Sequence, residues 1–266
     1  MDDAGAHGRF HTHDDFPSSY LDNRRTLTVW LPPGYDKRAR TRFPVLYLHD
    51  GQSVFDATRA PGGTGWDAHV TAARLIRAGR LRPVILVGID NTPARLDEYA
   101  VHRDAGEDAG GRGHDYAHFV VDEVKPFIDA HYRTAPDRRH TAVAGSSLGG
   151  LITLSMARLH PQRFGLCGLL SPSLWWARCK ELRAAEAGGK WLRRMRCWLD
   201  MGTREGTGRG HVTSGITQSR RLAACFDKAG MVPGRDYYYL EVAGGEHNEA
   251  AWAARLDKVL LFFFGR

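Results

Sequence analysis

The sequence predicts an α/β protein with a mostly parallel central sheet and helices on both of its faces. Two near-continuous apolar runs, residues 43–51 and 82–90, are typical of parallel strands that are covered on both sides. Such runs alternate along the chain with amphipathic stretches of helical period, which favours right-handed β-α-β connections. The chain has 266 residues, of which 42% are hydrophobic, so it can bury one large core.

The N-terminal third is predicted to hold an arm, three strands and a helix. Residues 1–22 are polar and rich in His and Asp, so we expect a loose arm ahead of a single domain over 23–266. A first strand is predicted at 27–35, where two prolines end it. The two apolar runs form the next strands. Between them, residues 65–79 have helical spacing and end at a glycine.

The rest of the chain continues the alternation. A longer helix is predicted over 115–132, and Pro126 is expected to bend or divide it. The further predicted strands are 140–145, 164–172, 196–202 and 236–244. The further predicted helices are 148–161, 214–230 and 248–263.

Composition argues against several functional classes. The chain carries 37 basic and 30 acidic residues, but its arginines are scattered without an aromatic platform, so we expect no nucleic-acid partner. The apolar run at 259–264 is far too short to span a bilayer, so we expect no membrane partner. The N-terminal residues show no apolar stretch typical of a secretory signal, and we expect a cytoplasmic protein. Oligomeric state is left open.

The four cysteines are expected to be free thiols. They are spread along the chain without a C-x-x-C pair, and two of them, Cys167 and Cys197, lie inside apolar runs. Buried thiols are therefore a better interpretation than disulfides or metal ligands.

A short glycine-serine motif points to nucleophilic chemistry. Residues 145–149 fit the pattern G-x-S-x-G with Ser147 at its centre, just after the strand predicted at 140–145. This pattern is typical of a strand-to-helix turn that lifts a serine hydroxyl above a sheet. The motif alone is weak evidence, because short glycine-serine patterns also arise by chance.

The residues that follow the predicted strands strengthen this interpretation. In open α/β sheets, ligands bind at the carboxyl ends of the strands. Ser147 follows one strand, Asp200 and Glu205 lie at and beyond the end of another, and His247 follows the last strand. A serine, then an acid, then a histidine is the chain order of the α/β-hydrolase triad.

The residue types fit acyl transfer. A serine hydroxyl is a poor nucleophile unless a base takes its proton, and His247 can act as that base. A carboxylate then holds the imidazole in the right tautomer. The developing oxyanion needs donors, for which the backbone N–H groups of Leu148 and Gln52 are the candidates; Gly51 leaves the main chain beside Gln52 accessible.

Seven segments together resemble the "putative esterase" family of α/β-hydrolases. They are YLHDGQSVFD, GWD, VGIDNTPARLDEY, VAGSSLGGL, LSPSLWW, LDMGTREG and GGEHNEAAW. This family includes esterase D-like enzymes, enterochelin and siderophore esterases, feruloyl esterases and the antigen 85 mycolyltransferases. The resemblance implies an α/β-hydrolase fold, Ser147 as nucleophile, His247 as base and an acid in the GTRE segment. It also implies an oxyanion hole from Gln52 and Leu148, but it does not identify the ester.

Two candidates compete for the triad acid. Glu205 is favoured, because Asp200 is expected to lie still inside a strand, where the pleat fixes its direction. Glu246 is adjacent to His247, and neighbouring side chains diverge, so it is a poor partner.

Other candidate residues have weaker support. Trp175 and Trp176 follow a strand end and could line the substrate pocket. His114 and His118 have the i, i+4 spacing of a metal pair, but without a third ligand a solvated helix face is favoured.

The sequence thus predicts a serine esterase that needs neither metal nor cofactor and acts on a small-molecule ester. An acyltransferase with the same triad is the first alternative, because only the acceptor site distinguishes the two. A non-catalytic ligand-binding module on the same fold is the second, and the intact serine, acid and histidine argue against it.

Overall fold

An eight-stranded sheet forms the centre of the molecule in a computed structural model that describes residues 7–37, 40–60, 63–205 and 211–266. The strands are β1 (Arg9–Ser18), β2 (Asn23–Leu31), β3 (Val45–His49), β4 (Ile85–Ile89), β5 (Thr141–Ser146), β6 (Leu166–Leu170), β7 (Arg196–Gly202) and β8 (Tyr237–Val242). Their order across the sheet is β1-β2-β4-β3-β5-β6-β7-β8. Strands β3 to β8 run parallel to one another, whereas β1 pairs antiparallel with β2 and β2 pairs antiparallel with β4. The predicted mostly parallel sheet is therefore confirmed.

The helices cover both faces of this sheet. They are α1 (Gly51–Phe55), α2 (Ala68–Arg77), α3 (Arg95–Glu98), α4 (Gly113–His118), α5 (Lys125–His131), α6 (Leu148–Leu159), α7 (Trp176–Glu186), α8 (His211–Lys228), α9 (Glu249–Ala253) and α10 (Leu256–Phe264). Of these, α4 to α8 pack on one face, and α1, α2 and α10 pack on the other. Among the described residues, no helix is both long and apolar enough to cross a bilayer.

Side-chain alternation along the strands explains the two-sided core. In β3, Val45 and Tyr47 belong to one buried cluster, whereas Leu46 and Leu48 belong to the cluster on the opposite face. All five residues of this strand are buried, as the continuous apolar run predicts. The sheet is therefore sandwiched between layers, and only the strand ends are left to form a site.

The structure corrects the expected loose arm over 1–22. Arg9–Ser18 form the edge strand β1, which pairs antiparallel with β2. The sequence of this strand lacks the usual apolar alternation because its inward side is not aliphatic: His13 contacts the Tyr132 hydroxyl at 2.7 Å, and Phe16 packs edge-on against Phe127. Residues 1–6 of the arm lie outside the described part of the chain.

The helix predicted over 115–132 is divided near Pro126. A π-helical segment, Phe119–Val124, separates α4 from α5, and Pro126 is the second residue of α5. Proline lacks an N–H and its ring crowds the carbonyl four residues earlier, so the hydrogen-bond pattern before it widens.

The single helix predicted over 248–263 is also two helices. The chain breaks between α9 and α10 at Arg255, whose φ of −117° and ψ of 0° are not helical. The break turns the Arg255 side chain into the protein interior, where it is 2% exposed. Its partners there belong to the candidate site.

Candidate active site

Ser147 lies at the sharp turn between β5 and α6. Its φ of 57° and ψ of −122° are strained for a residue with a side chain. Gly145 is required by close approach, because a Cβ there would lie 2.8 Å from the carbonyl carbon of Gly149. The Ser147 N–H donates to the Leu170 carbonyl at 3.0 Å, which fixes the turn above β6. The strain is thus held by the surrounding backbone.

A chain of hydrogen bonds joins three of the predicted residues. The Oγ atom of Ser147 lies 2.9 Å from Nε2 of His247, and Nδ1 of His247 lies 2.9 Å from Oε2 of Glu205. His247 lies in the loop after β8, and the next residue, Asn248, caps α9 by accepting from the Ala251 N–H at 2.9 Å. The structure therefore brings together a serine, a histidine and a carboxylate that are far apart in sequence.

The carboxylate of Glu205 is buried and held by several donors. Its Oε1 accepts hydrogen bonds from the Gly202 N–H at 2.7 Å and from the Ser171 hydroxyl at 2.6 Å, and Arg255 lies 3.3 Å away. Burial alone would raise the pKa of Glu205, but the hydrogen bonds from His247 and Ser171 outweigh it and lower the pKa. The group is therefore ionised and fixed in orientation.

Asp200, the other candidate acid, points elsewhere. It lies within β7 and is fully buried, where Oδ1 accepts from the Ser171 N–H at 3.1 Å and Oδ2 accepts from the Trp198 indole at 2.6 Å. Arg255 lies 3.0 Å from Oδ1. Burial raises the pKa of Asp200 to about 6, and Arg255 opposes this only in part. The contact to His247 Nδ1 is made by Glu205.

The two candidate oxyanion donors lie in first turns of helices. Leu148 begins α6 and Gln52 is the second residue of α1, so neither N–H has an intrahelical acceptor. The Gln52 side chain is occupied, since its Oε1 accepts from the Asn91 N–H at 3.1 Å. Gly51 must be glycine, because a Cβ there would lie 2.6 Å from the Gly88 backbone. Both N–H groups are thus available at the carboxyl ends of neighbouring strands.

A cavity of about 510 Å³ opens beside Ser147 and His247. Its wall includes Glu107, Ser171, Pro172, Ser173, Trp175, Met201, Glu205 and Gly215. Of the two tryptophans expected near the pocket, Trp175 lines this cavity. Trp176 does not: it is 4% exposed, and its indole N–H donates to the His102 carbonyl at 2.8 Å. The turn after Trp175 directs the second indole into the core.

The remaining sequence candidates lie away from this chemistry. His118 contacts Asp122 at 3.0 Å and stacks on Tyr20, so it belongs to a solvated helix face. Glu246 accepts from the Asn248 side chain at 3.1 Å. Within the described ranges, no group of three His, Cys, Asp or Glu residues is arranged to hold a metal ion. The four cysteines are free thiols, as predicted.

Three residues of the site were missed in the sequence. The Ser171 hydroxyl accepts from the Trp252 indole at 3.0 Å and from Arg255, while it donates to Glu205. The Trp252 ring also packs edge-on against His247, with ring centroids 4.9 Å apart. Ser171 directly follows β6, so the strand-end rule could have found it; Trp252 and Arg255 carry no such signal.

The chain belongs to the family described as "Putative esterase", whose model matches residues 18–263. The fold is the α/β-hydrolase fold expected from the resemblance, and structural neighbours of the chain are esterases.

Curated relatives match about three fifths of the chain. The uncharacterized protein YbbA of Bacillus subtilis is 28% identical over 169 residues, which are 62% of this chain and 63% of that protein. The iron(III) salmochelin esterase of Escherichia coli is 32% identical over 173 residues, 64% of this chain and 37% of the relative. The matches thus span less than two thirds of these relatives.

A solved structure covers far more of the chain. An IroE-like serine hydrolase from Shewanella oneidensis superposes with a TM-score of 0.77 and 20% identity, covering 95% of this chain and 79% of its own. At that identity the likeness shows the fold.

Proposed function

We propose that this member of the family hydrolyses carboxylic esters of small molecules through a covalent acyl-enzyme. The observation that carries the proposal is the unbroken hydrogen-bond chain from Ser147 through His247 to Glu205, with 2.9 Å at both links. Nucleophile, base and orienting carboxylate are within hydrogen-bond reach of one another, which is the geometric requirement for this chemistry.

In the first half-reaction, Oγ of Ser147 attacks the ester carbonyl carbon while Nε2 of His247 takes the hydroxyl proton. The negative charge that develops on the carbonyl oxygen is stabilised by the N–H groups of Leu148 and Gln52. Collapse of the tetrahedral intermediate expels the alcohol, which receives the proton from His247. The acyl group is then held on Ser147.

In the second half-reaction, a water molecule gives a proton to His247 and attacks the acyl-enzyme. Collapse of the second intermediate releases the carboxylic acid and returns the proton to Ser147. Throughout, Glu205 fixes the ring through Nδ1 and offsets the positive charge that His247 carries in each transition state. Nucleophile, base, orienting carboxylate and oxyanion donors all come from the chain, and the ester and the water are the reactants.

The relatives support the type of bond that is cleaved, an ester, and do not identify the substrate. The salmochelin esterase is, by its name, an enzyme that cleaves an ester, and the family description names the same activity. The cavity of about 510 Å³ is of a size that holds a small-molecule ester.

The test is hydrolysis of an activated aryl acetate by single and double variants. Ser147→Ala and His247→Ala should each retain less than about a thousandth of the wild-type kcat/KM, because members of such a triad act as a unit. For the same reason the double variant should be hardly worse than either single one. Circular dichroism should show an intact fold. A folded Ser147→Ala variant that keeps substantial activity would contradict the proposal.

A further inference from the structure

The active-site cavity has a carboxylate in its wall that takes no part in the proposed acyl transfer. Glu107 lines the same cavity as Ser147 and His247. Within the described part of the chain, its side chain makes no hydrogen bond or ion pair. A carboxylate placed in a substrate cavity without an internal partner is free to bind a group of the substrate.

The turn that carries Glu107 is fixed by Asp104. The Asp104 carboxylate accepts from the Gly106 N–H at 2.7 Å and from the Glu107 N–H at 3.1 Å. The backbone of Asp104 also pairs with Ala109 in both directions, at 2.8 and 3.3 Å. The position of Glu107 is therefore set by a closed, hydrogen-bonded turn.

The same aspartate anchors the segment that carries Trp175. Its Oδ2 accepts from the Ala177 N–H at 2.7 Å. Ala177, Arg178 and Cys179 all have positive φ, a left-handed turn of three residues with side chains that costs conformational energy and needs such an anchor. Trp175, 37% exposed, lies just before this turn and lines the cavity. One carboxylate thus ties Glu107 and Trp175 into a single wall.

The charges of this wall favour a cation. Besides Glu107, the ionisable residues that line the cavity within the described part of the chain are Glu205 and His247. The carboxylate of Glu205 is engaged within the protein, because Arg255 and His247 contact it. The charge of Glu107 is therefore left for the substrate. An exposed tryptophan face attracts cations through its ring quadrupole.

We propose that Glu107 and Trp175 form a subsite for a positively charged group, so that the preferred esters carry an ammonium-type cation in the part that enters the cavity. This inference rests on the proposed esterase function and names its substrate class. The carboxylate supplies Coulombic attraction and the indole supplies a face that tolerates a weakly hydrated cation.

The test compares isosteric ester pairs that differ only in charge. One pair is 2-(trimethylammonio)ethyl benzoate against 3,3-dimethylbutyl benzoate, which places the cation in the alcohol. The other is the p-nitrophenyl ester of 4-(trimethylammonio)butanoic acid against that of 5,5-dimethylhexanoic acid, which places it in the acyl group. In at least one pair, kcat/KM of the wild type should favour the cationic ester by about tenfold or more. Raising the ionic strength should reduce this ratio.

Variants of Glu107 test whether this residue causes the preference for the cationic ester. Glu107→Gln should lower the cationic-to-neutral ratio about tenfold, and Glu107→Lys should bring it below one. Asp108→Asn is the matched control: it removes the same charge one residue away, from an exposed side chain outside the cavity wall, and should change the ratio less than about twofold.

Three outcomes separate the two proposals. A wild-type ratio near or below one in both pairs overturns the cationic subsite, even if the neutral esters are hydrolysed through Ser147. The subsite is also overturned if Asp108→Asn lowers the ratio as much as Glu107→Gln does. The preference would then come from the general negative charge of this turn and not from Glu107. If aryl acetate is not hydrolysed either, the esterase proposal itself fails.

Discussion

Oε2 of Glu205 lies 2.9 Å from Nδ1 of His247, whereas the carboxylate of Asp200, five residues earlier, contacts Ser171, Trp198 and Arg255. The difference follows from backbone position. Asp200 is inside β7, where the pleat directs its side chain into the protein, and Glu205 lies beyond the strand end. Only the latter reaches across the top of the sheet to the loop after β8.

This arrangement predicts unequal effects of two isosteric substitutions. Glu205→Gln should reduce kcat by about 10³- to 10⁴-fold, because the amide cannot hold His247 as a carboxylate does. Asp200→Asn should reduce kcat by less than about tenfold, since Asp200 does not contact His247. Steady-state kinetics with an aryl acetate measures both. The reverse ranking would assign the acid to Asp200.

The free energy of unfolding should depend on pH through the carboxyl group of Asp200. Burial raises the pKa of Asp200 from 3.8 to about 6, so between these pH values the folded protein keeps a proton that the unfolded chain has released. Asp200 therefore contributes stability that is lost as pH rises through this window. Asparagine has no such titration.

Chemical denaturation at two pH values tests this sign. Asp200→Asn should destabilise at both, because asparagine has a single acceptor oxygen and cannot accept from both the Ser171 N–H and the Trp198 indole. The loss in free energy of unfolding, relative to the wild type, should be larger at pH 4.5 than at pH 7. A larger loss at pH 7 would mean that the pKa of Asp200 is not raised.

Ser171 is predicted to affect both stability and turnover. Ser171→Ala removes a hydrogen bond to Glu205 and leaves the Trp252 indole N–H without its acceptor, so it should cost about 1–3 kcal/mol of unfolding free energy. Because Gly202 and Arg255 still contact Glu205, kcat should fall only about tenfold.

A second buried serine provides the control for Ser171. Ser155 lies in α6, and its hydroxyl donates to the Leu151 carbonyl at 3.2 Å, away from the site. Ser155→Ala should leave kcat within about twofold of the wild type. Equal losses of kcat in the two variants would show that Ser171 acts only through general stability.

Much of the site could be predicted because strand ends converge in a parallel sheet. Ser147, Glu205 and His247 each follow a strand whose apolar run is visible in the sequence, and the pleat argument favoured Glu205 over Asp200. The geometry agrees with that preference, and the catalytic roles stay predictions until the kinetics are measured.

The parts that could not be predicted depend on tertiary contacts. Strand β1 has a polar, histidine-rich sequence that acquires its partners only when Tyr132 and Phe127 pack against it. The break at Arg255 interrupts a sequence with uninterrupted helical period, because the guanidinium is drawn to buried carboxylates from β7 and the loop after it. The local periodicity of the sequence predicts neither the edge strand β1 nor the break at Arg255.

The most direct test of the central claim is to label the protein with a fluorophosphonate and map the modified peptide by mass spectrometry. The reagent phosphonylates serines that an adjacent base activates. We expect one modification per chain, on Ser147, that is lost in Ser147→Ala and strongly slowed in His247→Ala. Labelling of Ser146, Ser171 or Ser173 instead, or no labelling of a folded wild-type protein that hydrolyses aryl acetate, would contradict it.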